Sequence, residues 1–375
     1  MRPGSSPGAS TRGLGMKKLA LVLALSTCHP VHADIMQSIT IHDVGGYHNR
    51  LMKEGTYQQT FTRLAETVDA NTVTLIDTMW IKRVDDTIDI AFDPHDYAMS
   101  PTASDYPVLV QDAHSKGLET EIIIQLFSAP SVGDWNQILS EQAIGDQTFW
   151  DSYFASQGEL ILKRARMAQA LGVERLSIGY NNVYEIRVAV DYWQTLVEQI
   201  REVYTGELGY YAELDTSEMH SAFDATSHYQ GEPARRKFFD LFDYLGFIVQ
   251  DPQEPHFSRN LARFGKYDKP VMLMVTTPSV VQDIAFTRYI EPCVPCGSLA
   301  PTTAIDLELQ TQAYQTAIDA VNKFDFVQGL NSWGYHLRDD LFRTQDANDS
   351  MYNKSANVRG KPAEQLISTW YKQWD

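Results

Sequence analysis

The sequence predicts a closed barrel of eight alternating strands and helices, the (β/α)8 or TIM barrel. Three observations predict it. Eight short apolar, β-rich runs recur along the chain, and seven of them are followed by a helical or helix-length segment. No linker or low-complexity stretch divides them, so residues 34–375 read as one domain. The doubly wound alternative needs a glycine-rich first turn, and Asp-Val-Gly-Gly-Tyr around Val44 lacks phosphate-loop spacing.

Residues 1–33 stand outside that barrel. Lys17 and Lys18 open a basic region, the apolar run LALVLALS follows, and Val-His-Ala precedes Asp34. This is the order of a secretory signal with cleavage near Ala33, and it is too short for a membrane span. The residues before Met16 read as an upstream extension. Cys28 offers a lipoprotein alternative, but the threonine before it fits that pattern poorly. A secreted or periplasmic location follows from this reading.

The elements then run in order. Strands are expected over 38–42, 73–79, 120–127, 175–180, 208–213, 244–250, 271–275 and 326–333. TYQQTFTRLAETV follows the first, YPVLVQDAHSKG the second, GELILKRARMAQALG the third and DYWQTLVEQIREVY the fourth. ELQTQAYQTAIDAV follows the seventh, and a last helix over 362–370 ends the series. Gly117 and Gly172 sit where a helix C-cap precedes the next strand.

Charge and cysteines narrow the function. The formal charge of −17 becomes −21 without Arg2, Arg12, Lys17 and Lys18, the charged residues of 1–33. So acidic a chain repels nucleic acid and anionic lipid heads, and neither is expected as a partner. Cys293 and Cys296, in Glu-Pro-Cys-Val-Pro-Cys-Gly, read as a small loop disulfide in an oxidising compartment. No second cysteine pair or His-x-x-x-His accompanies them, so no metal site is expected, and no cofactor is required.

In such barrels the chemistry lies at the C-terminal ends of the strands. Those ends carry Asp43; Asp77 and Trp80; Gln125 and Phe127; Tyr180, Asn181, Asn182 and Glu185; Tyr211, Glu213 and Asp215; Gln250 and Asp251; Thr276 and Thr277; and Asn331, Trp333, Tyr335 and His336. Aromatic faces stack on the C–H faces of pyranose rings, while amides and carboxylates fork onto vicinal hydroxyls. The ring suits a neutral oligosaccharide or polysaccharide.

The stretches SANVRGKPAEQLISTWY, LELQTQAYQTAIDAV and GLNSWGYH resemble glycoside hydrolase family 113, a family of clan A, mannanase-type barrels. VTLIDTMWIKR, SPTASDYPVLVQDAHSKGLETEIIIQLF, LSIGYNN, LFDYLGFIVQDP and KPVMLMVTT are similar in order and spacing. Arg359-Gly360-Lys361-Pro362-Ala363-Glu364 is the most specific piece. The resemblance implies cleavage of a β-linked polysaccharide with retention. It places an acid/base glutamate after Ile-Gly at the end of strand four and a nucleophilic glutamate at the end of strand seven. Here those positions fall on Asn181 and on Val275 or Thr276, and the tyrosine that supports the nucleophile corresponds to Gln250.

Asparagine cannot donate the glycosidic proton, and threonine forms no glycosyl ester, so a hydrolase must draw its carboxyl pair from elsewhere on the rim. Glu185, one turn past strand four, is a candidate acid, with a solvent-facing helix start as its plain alternative. Glu213, ending strand five, is a candidate base or nucleophile, or a carboxylate that only holds a hydroxyl. Asp251, before Pro252, is either a third catalytic candidate or a turn cap. Asp77, Trp80, Tyr180, Asn181, Asn182, Gln250, Trp333 and Tyr335 are candidate substrate ligands. Trp333 is the expected stacking platform, with core packing as its alternative. A non-catalytic saccharide-binding barrel derived from a glycosidase is the rival to an active hydrolase.

Overall fold

The computed structural model of the chain describes residues 35–41, 56–84, 87–89, 101, 104–128, 147–180, 189–213, 232–279, 304–335 and 356–374. The side chains of Trp80, Tyr180 and Glu213 fall outside that description, as do residues 1–33, Asn181, Asn182, Glu185, Cys293 and Cys296. The barrel lies wholly within the compact unit Asp34–Asp375.

The strands are β1 (Met36–Ile41), β2 (Thr72–Val84), β3 (Thr87–Asp89), β4 (Glu119–Ser128), β5 (Arg175–Tyr180), β6 (Glu207–Glu213), β7 (Tyr244–Val249), β8 (Val271–Val275) and β9 (Val327–Tyr335). All but β3 run parallel in the order β1-β9-β8-β7-β6-β5-β4-β2, and a β1–β2 pairing closes the ring. The eight strands of the sequence reading are the eight barrel staves. β3 was not expected: it pairs antiparallel with the far end of β2, which runs past Met79 to Val84.

The helices are α1 (Thr56–Arg63, continued as a π-turn over Leu64–Val68), α2 (Tyr106–Ser115), α3 (Gln147–Leu171) and α4 (Val190–Arg201). They continue as α5 (Glu232–Phe239), α6 (His256–Ala262), α7 (Leu307–Lys323) and α8 (Pro362–Tyr371). α3 begins eleven residues before the Gly158 start that its apolar pattern suggested. The added turns carry Phe149, Trp150, Tyr153 and Phe154, which pack edge-on or stacked at 5.2–6.0 Å between centroids.

Strand alternation sorts the core into two shells. Val73, Leu75, Ile122, Ile124, Leu176, Leu245, Phe247, Leu273 and Leu330 face the helices. Met36, Ile76, Ile123, Tyr211, Tyr244, Ile248, Met272, Met274 and Trp333 fill the lumen. Size is matched across neighbouring strands. A Cβ on Gly209 would come within 2.1 Å of the Tyr244 ring, and one on Gly246 within 2.2 Å of the Tyr211 ring. Each tyrosine fills the space that its glycine neighbour leaves.

Those two phenols meet a carboxylate. Glu121 is fully buried in the lumen. It accepts hydrogen bonds from Tyr244 Oη at 2.7 Å, Thr74 Oγ1 at 2.7 Å and Tyr211 Oη at 3.3 Å. Thr74 Oγ1, having given its proton to Glu121, accepts from Asn331 Nδ2 at 2.9 Å and from Ser38 Oγ at 2.7 Å. Thr40 Oγ1 donates to Asn331 Oδ1 at 2.7 Å. One network thus joins β1, β2, β4, β6, β7 and β9. Burial raises the Glu121 pKa above its ordinary 4.5, against the pull of Thr74, Tyr244 and Arg175. Burial, reinforced by Glu121, holds both phenols protonated and therefore able to donate.

Two candidate substrate ligands lie in the outer shell. Asp77 shares the parity of Val73 and Leu75 and faces the helices, where it is fully buried against Arg164 of α3. Arg164 Nε holds one oxygen, and Nη2 reaches the other at 3.3 Å. Asp77 is therefore an internal ion-pair partner behind the barrel wall, not a substrate ligand. Tyr335 meets the same fate by a different route. The β1–β9 register slips between Thr40 and Ile41, where Gly334, at φ +94°, forms a bulge. The extra residue turns Tyr335 outward, level with Ile41. Its hydroxyl accepts from Arg63 Nε at 2.7 Å and donates to Glu364 Oε1 at 2.5 Å.

Glu364 belongs to the segment 359–364. Its carboxylate takes a bidentate contact from Arg63 Nη2 at 2.9 Å and the Gly360 N–H at 2.7 Å. The Arg359 guanidinium lies 5.3 Å over the Tyr335 ring and bonds Thr60 Oγ1 at 3.1 Å. Lys361 Nζ reaches Ser279 Oγ, just past β8, at 2.8 Å. The Tyr371 hydroxyl of α8 donates to the carbonyls of Ser38 and Leu330 across the β1–β9 seam. This segment anchors the last helix to the barrel.

Two predictions follow from the buried charges. The raised Glu121 pKa favours the protonated, folded form, so its contribution is full below pH 4.5 and is lost as pH rises through the folded value. Glu121→Gln removes that dependence. The stability advantage of wild type over the variant, read by urea unfolding, should therefore shrink with rising pH by up to about 1.4 kcal/mol per unit. An advantage that grows with pH contradicts this. Asp77→Asn leaves Arg164 without its counter-ion and should cost roughly 3 kcal/mol of stability. Glycan affinity of the folded variant should stay at the wild-type value in a calorimetric titration.

Candidate active site

Parallel strands bring their C-terminal ends to one mouth. Following the inward parity upward from the Glu121 level leads to Thr78 on β2, Gln125 on β4, and Trp333 on β9. The same parity leads to Gln250 just past β7 and Thr276 just past β8. Glu213, level with Ile248, holds the corresponding register position at the end of β6. Among the described side chains the mouth is therefore ringed by hydroxyl, amide and indole groups above an apolar plug of Ile76, Ile123, Ile248 and Met274. Such a ring exchanges hydrogen bonds with a polyol and offers its carbon face a dry floor.

The tips of β7 and β8 are laced together. Thr276 N donates to the Val249 carbonyl at 2.9 Å, and its hydroxyl reaches the same oxygen at 3.4 Å. The Thr277 hydroxyl donates to the Gln250 carbonyl, and Gln310 Nε2 of α7 holds the Thr277 carbonyl at 3.0 Å. Gln250 is half-buried at the rim, as its candidacy as a ligand requires. Asp251 lies in the turn leading to α6. Its carboxylate accepts Gln253 Nε2 at 2.7 Å, and its carbonyl accepts the Gln253 N–H at 2.9 Å. That is the turn-holding alternative of the sequence reading.

Trp333 faces the lumen, but only 4% of it is exposed and it packs in the inner apolar cluster. It is part of the floor of the mouth rather than a freestanding platform. β5 departs from regular pairing at its tip: the register with β6 shifts between Ser177 and Tyr180, which brings Tyr180 level with Tyr211. Ser177 Oγ bonds the Gly179 carbonyl at 3.1 Å inside this irregular turn. Trp80 is level with Phe127 on β4.

Glu121 was missed as a site-forming residue. The signal was present: in LETEIII a second carboxylate, two residues after Glu119, opens the apolar run on the parity of Ile123 and Gln125. Gln125 stood in the strand-end ring without being singled out, and it is 2% exposed. Among the described residues no group of His, Cys, Asp or Glu could hold a metal ion, and no helix is long and apolar enough to cross a membrane.

Comparison with known proteins agrees with this geometry. The chain is similar to the β-mannanase of Alicyclobacillus acidocaldarius solved in complex with ManMIm, at 18% identity and TM-score 0.68, over 92% of this chain and 99% of that one. It matches a second structure described as a GH113 β-1,4-mannanase at 18% identity and TM-score 0.67, over 91% and 99%. A thermostable mutant of a xylanase from Cellvibrio japonicus shares the fold more loosely, at 13% identity and TM-score 0.52, over 90% and 98%. No curated protein matches in sequence. The sequence profile of Glycoside Hydrolase Family 113 matches residues 46–360. That match takes in all of the barrel but β1 and α8, and the chain belongs to Glycoside Hydrolase Family 113.

Proposed function

We propose that this protein is an exported glycoside hydrolase that cleaves a β-linked glycan of the β-1,4-mannan type with a carboxyl pair formed by Glu213 and Glu185. The carrying observation is the register of Glu213, at the inward position that ends β6 in the polar mouth of a family 113 barrel. Mannan enters as the substrate class because the similar solved structures are described as β-mannanases.

On the family resemblance, the usual pair would fall on Asn181 and on Val275 or Thr276, none of which can act as an acid or nucleophile toward a glycoside. A carboxylate at the strand-five end, with Glu185 beyond strand four as proton donor, restores the two groups that glycoside cleavage needs. Glu213 then acts either as a nucleophile or as the base that activates water. A separation of about 5–5.5 Å gives retention, and roughly 6.5–9.5 Å leaves room for the water of inversion. Trp80, Tyr180, Asn181, Asn182, Gln250 and Trp333 line the sugar path in this reading. Export rests on the Met16–Ala33 signal pattern.

A second reading, a saccharide-binding barrel without turnover, is favoured by one observation: the end of β8 carries a threonine whose hydroxyl is directed to the Val249 carbonyl. One experiment separates the two. Purified protein is incubated with β-1,4-mannan, and both product release and binding are followed. On the hydrolase reading, Glu213→Gln and Glu185→Gln each lower turnover by about 10²–10⁴-fold with affinity nearly unchanged, because the amide keeps the shape but loses the carboxylate of Glu213 and the acidic proton of Glu185. Proton NMR of the first-formed anomer then reads the stereochemistry. Binding by the parent with no product on prolonged incubation establishes the second reading instead.

A further inference from the structure

We infer that Gln125 is a sugar-reading residue: its amide, at the floor of the mouth, accepts a hydrogen bond from a glycan hydroxyl. The inference rests on the glycan reading above and deepens it.

Gln125 follows Glu121 and Ile123 on the inward parity of β4, and its register with β2 is regular from Thr72 through Ile81, placing it level with Thr78. It is 2% exposed, and its Oε1 is buried without a hydrogen-bond partner. The contrast with the lower lumen is direct. Four residues down the same strand, Glu121 has donors for both oxygens, and Ser38, Thr40, Thr74 and Asn331 are paired around it. Among the described lumen residues the Gln125 Oε1 is thus left unpaired, at the end where the chemistry lies.

The surroundings say what would fill it. β4 pairs with β5 only as far as Ile123–Ser177, and the β5 register breaks immediately above. On that side, among the described residues, the β4–β5 ladder gives Gln125 no regularly paired neighbour. Below it stands Ile123, part of the apolar plug. A ligand there must present a donor to Oε1 and an apolar face to the plug. A pyranose does both, with a hydroxyl on one edge and C–H groups beneath. A cation fits poorly, because the side chain is a neutral amide on an apolar floor. A buried acceptor aimed at one hydroxyl also discriminates, because a sugar lacking that donor leaves Oε1 desolvated and unpaired.

The test compares the parent with Gln125→Met, which keeps length and loses the amide, and Gln125→Asn, which keeps the amide but withdraws it by one methylene. β-1,4-Mannotetraose is the probe, read as Kd by calorimetric titration or as KM where it is cleaved. Both variants should bind at least tenfold more weakly than the parent. In the sugar-free state, Gln125→Met should melt at or above the parental temperature, because it removes an unpaired buried acceptor rather than a bond. Equal affinity in parent and variants overturns the inference while leaving the glycan reading intact. A fall in the melting temperature of sugar-free Gln125→Met overturns it as well, since the amide then has a structural partner. A parent that binds neither the tetraose nor other β-linked oligosaccharides removes the glycan reading and this inference together.

Discussion

A carboxylate removed from water needs donors, and Glu121 recruits them from three different strands. This requirement organises the barrel. Apolar packing alone tolerates several registers, because one Ile replaces another with small loss. A buried carboxylate does not. A slip of one residue along β2, β6 or β7 would send Thr74, Tyr211 or Tyr244 to the helix side and strand the charge. The glycines opposite the tyrosines sharpen the condition, since each ring fits only where its neighbour has no side chain. Register in this barrel is specified by polar satisfaction and by shape acting together.

The two ends of the lumen then differ in kind. The lower part is dense, paired and dry, while the upper part is a ring of amides and hydroxyls on an apolar floor. The division follows the general one for such barrels, with stability at one end and chemistry at the other. It also separates the segment 359–364 from the chemistry. Arg359, Lys361 and Glu364 do not line the mouth: they bind Tyr335, Thr60, Ser279 and Arg63 and anchor the last helix. The segment 359–364 thus serves the stability of the barrel, and function has to be argued from the strand tips instead.

The strands were legible because each is a short β-rich run between turn residues, and their parallel order followed from the intervening helices. The inward or outward sense of single residues was harder to read. Both faces of a barrel strand are buried, so alternation does not announce which parity meets the lumen. Asp77 was placed at the mouth for that reason, although its companions Val73, Leu75 and Met79 are the apolar set that meets the helices. Tyr335 could not be read locally at all. Its direction depends on a one-residue bulge defined by pairing with Thr40 and Ile41, far away in the chain. Glu121 was hidden by the opposite problem. A polar residue inside an apolar run resembles an interruption until its partners, on other strands, are known.

The bond between Thr40 and Asn331 spans 291 residues, and that between Gln37 and Tyr371 spans 334. During synthesis the first stave therefore waits, one edge unpaired, until nearly all the rest has been made. Until β9 and α8 arrive, Thr74 lacks Asn331, the seam lacks Tyr371, and the half-built cylinder presents an open parallel edge. Contacts so distant in sequence make closure a late step in folding. A nascent chain of this protein consequently carries an unpaired strand edge over most of its translation, and ring closure, rather than strand formation, is the event that ends that exposure.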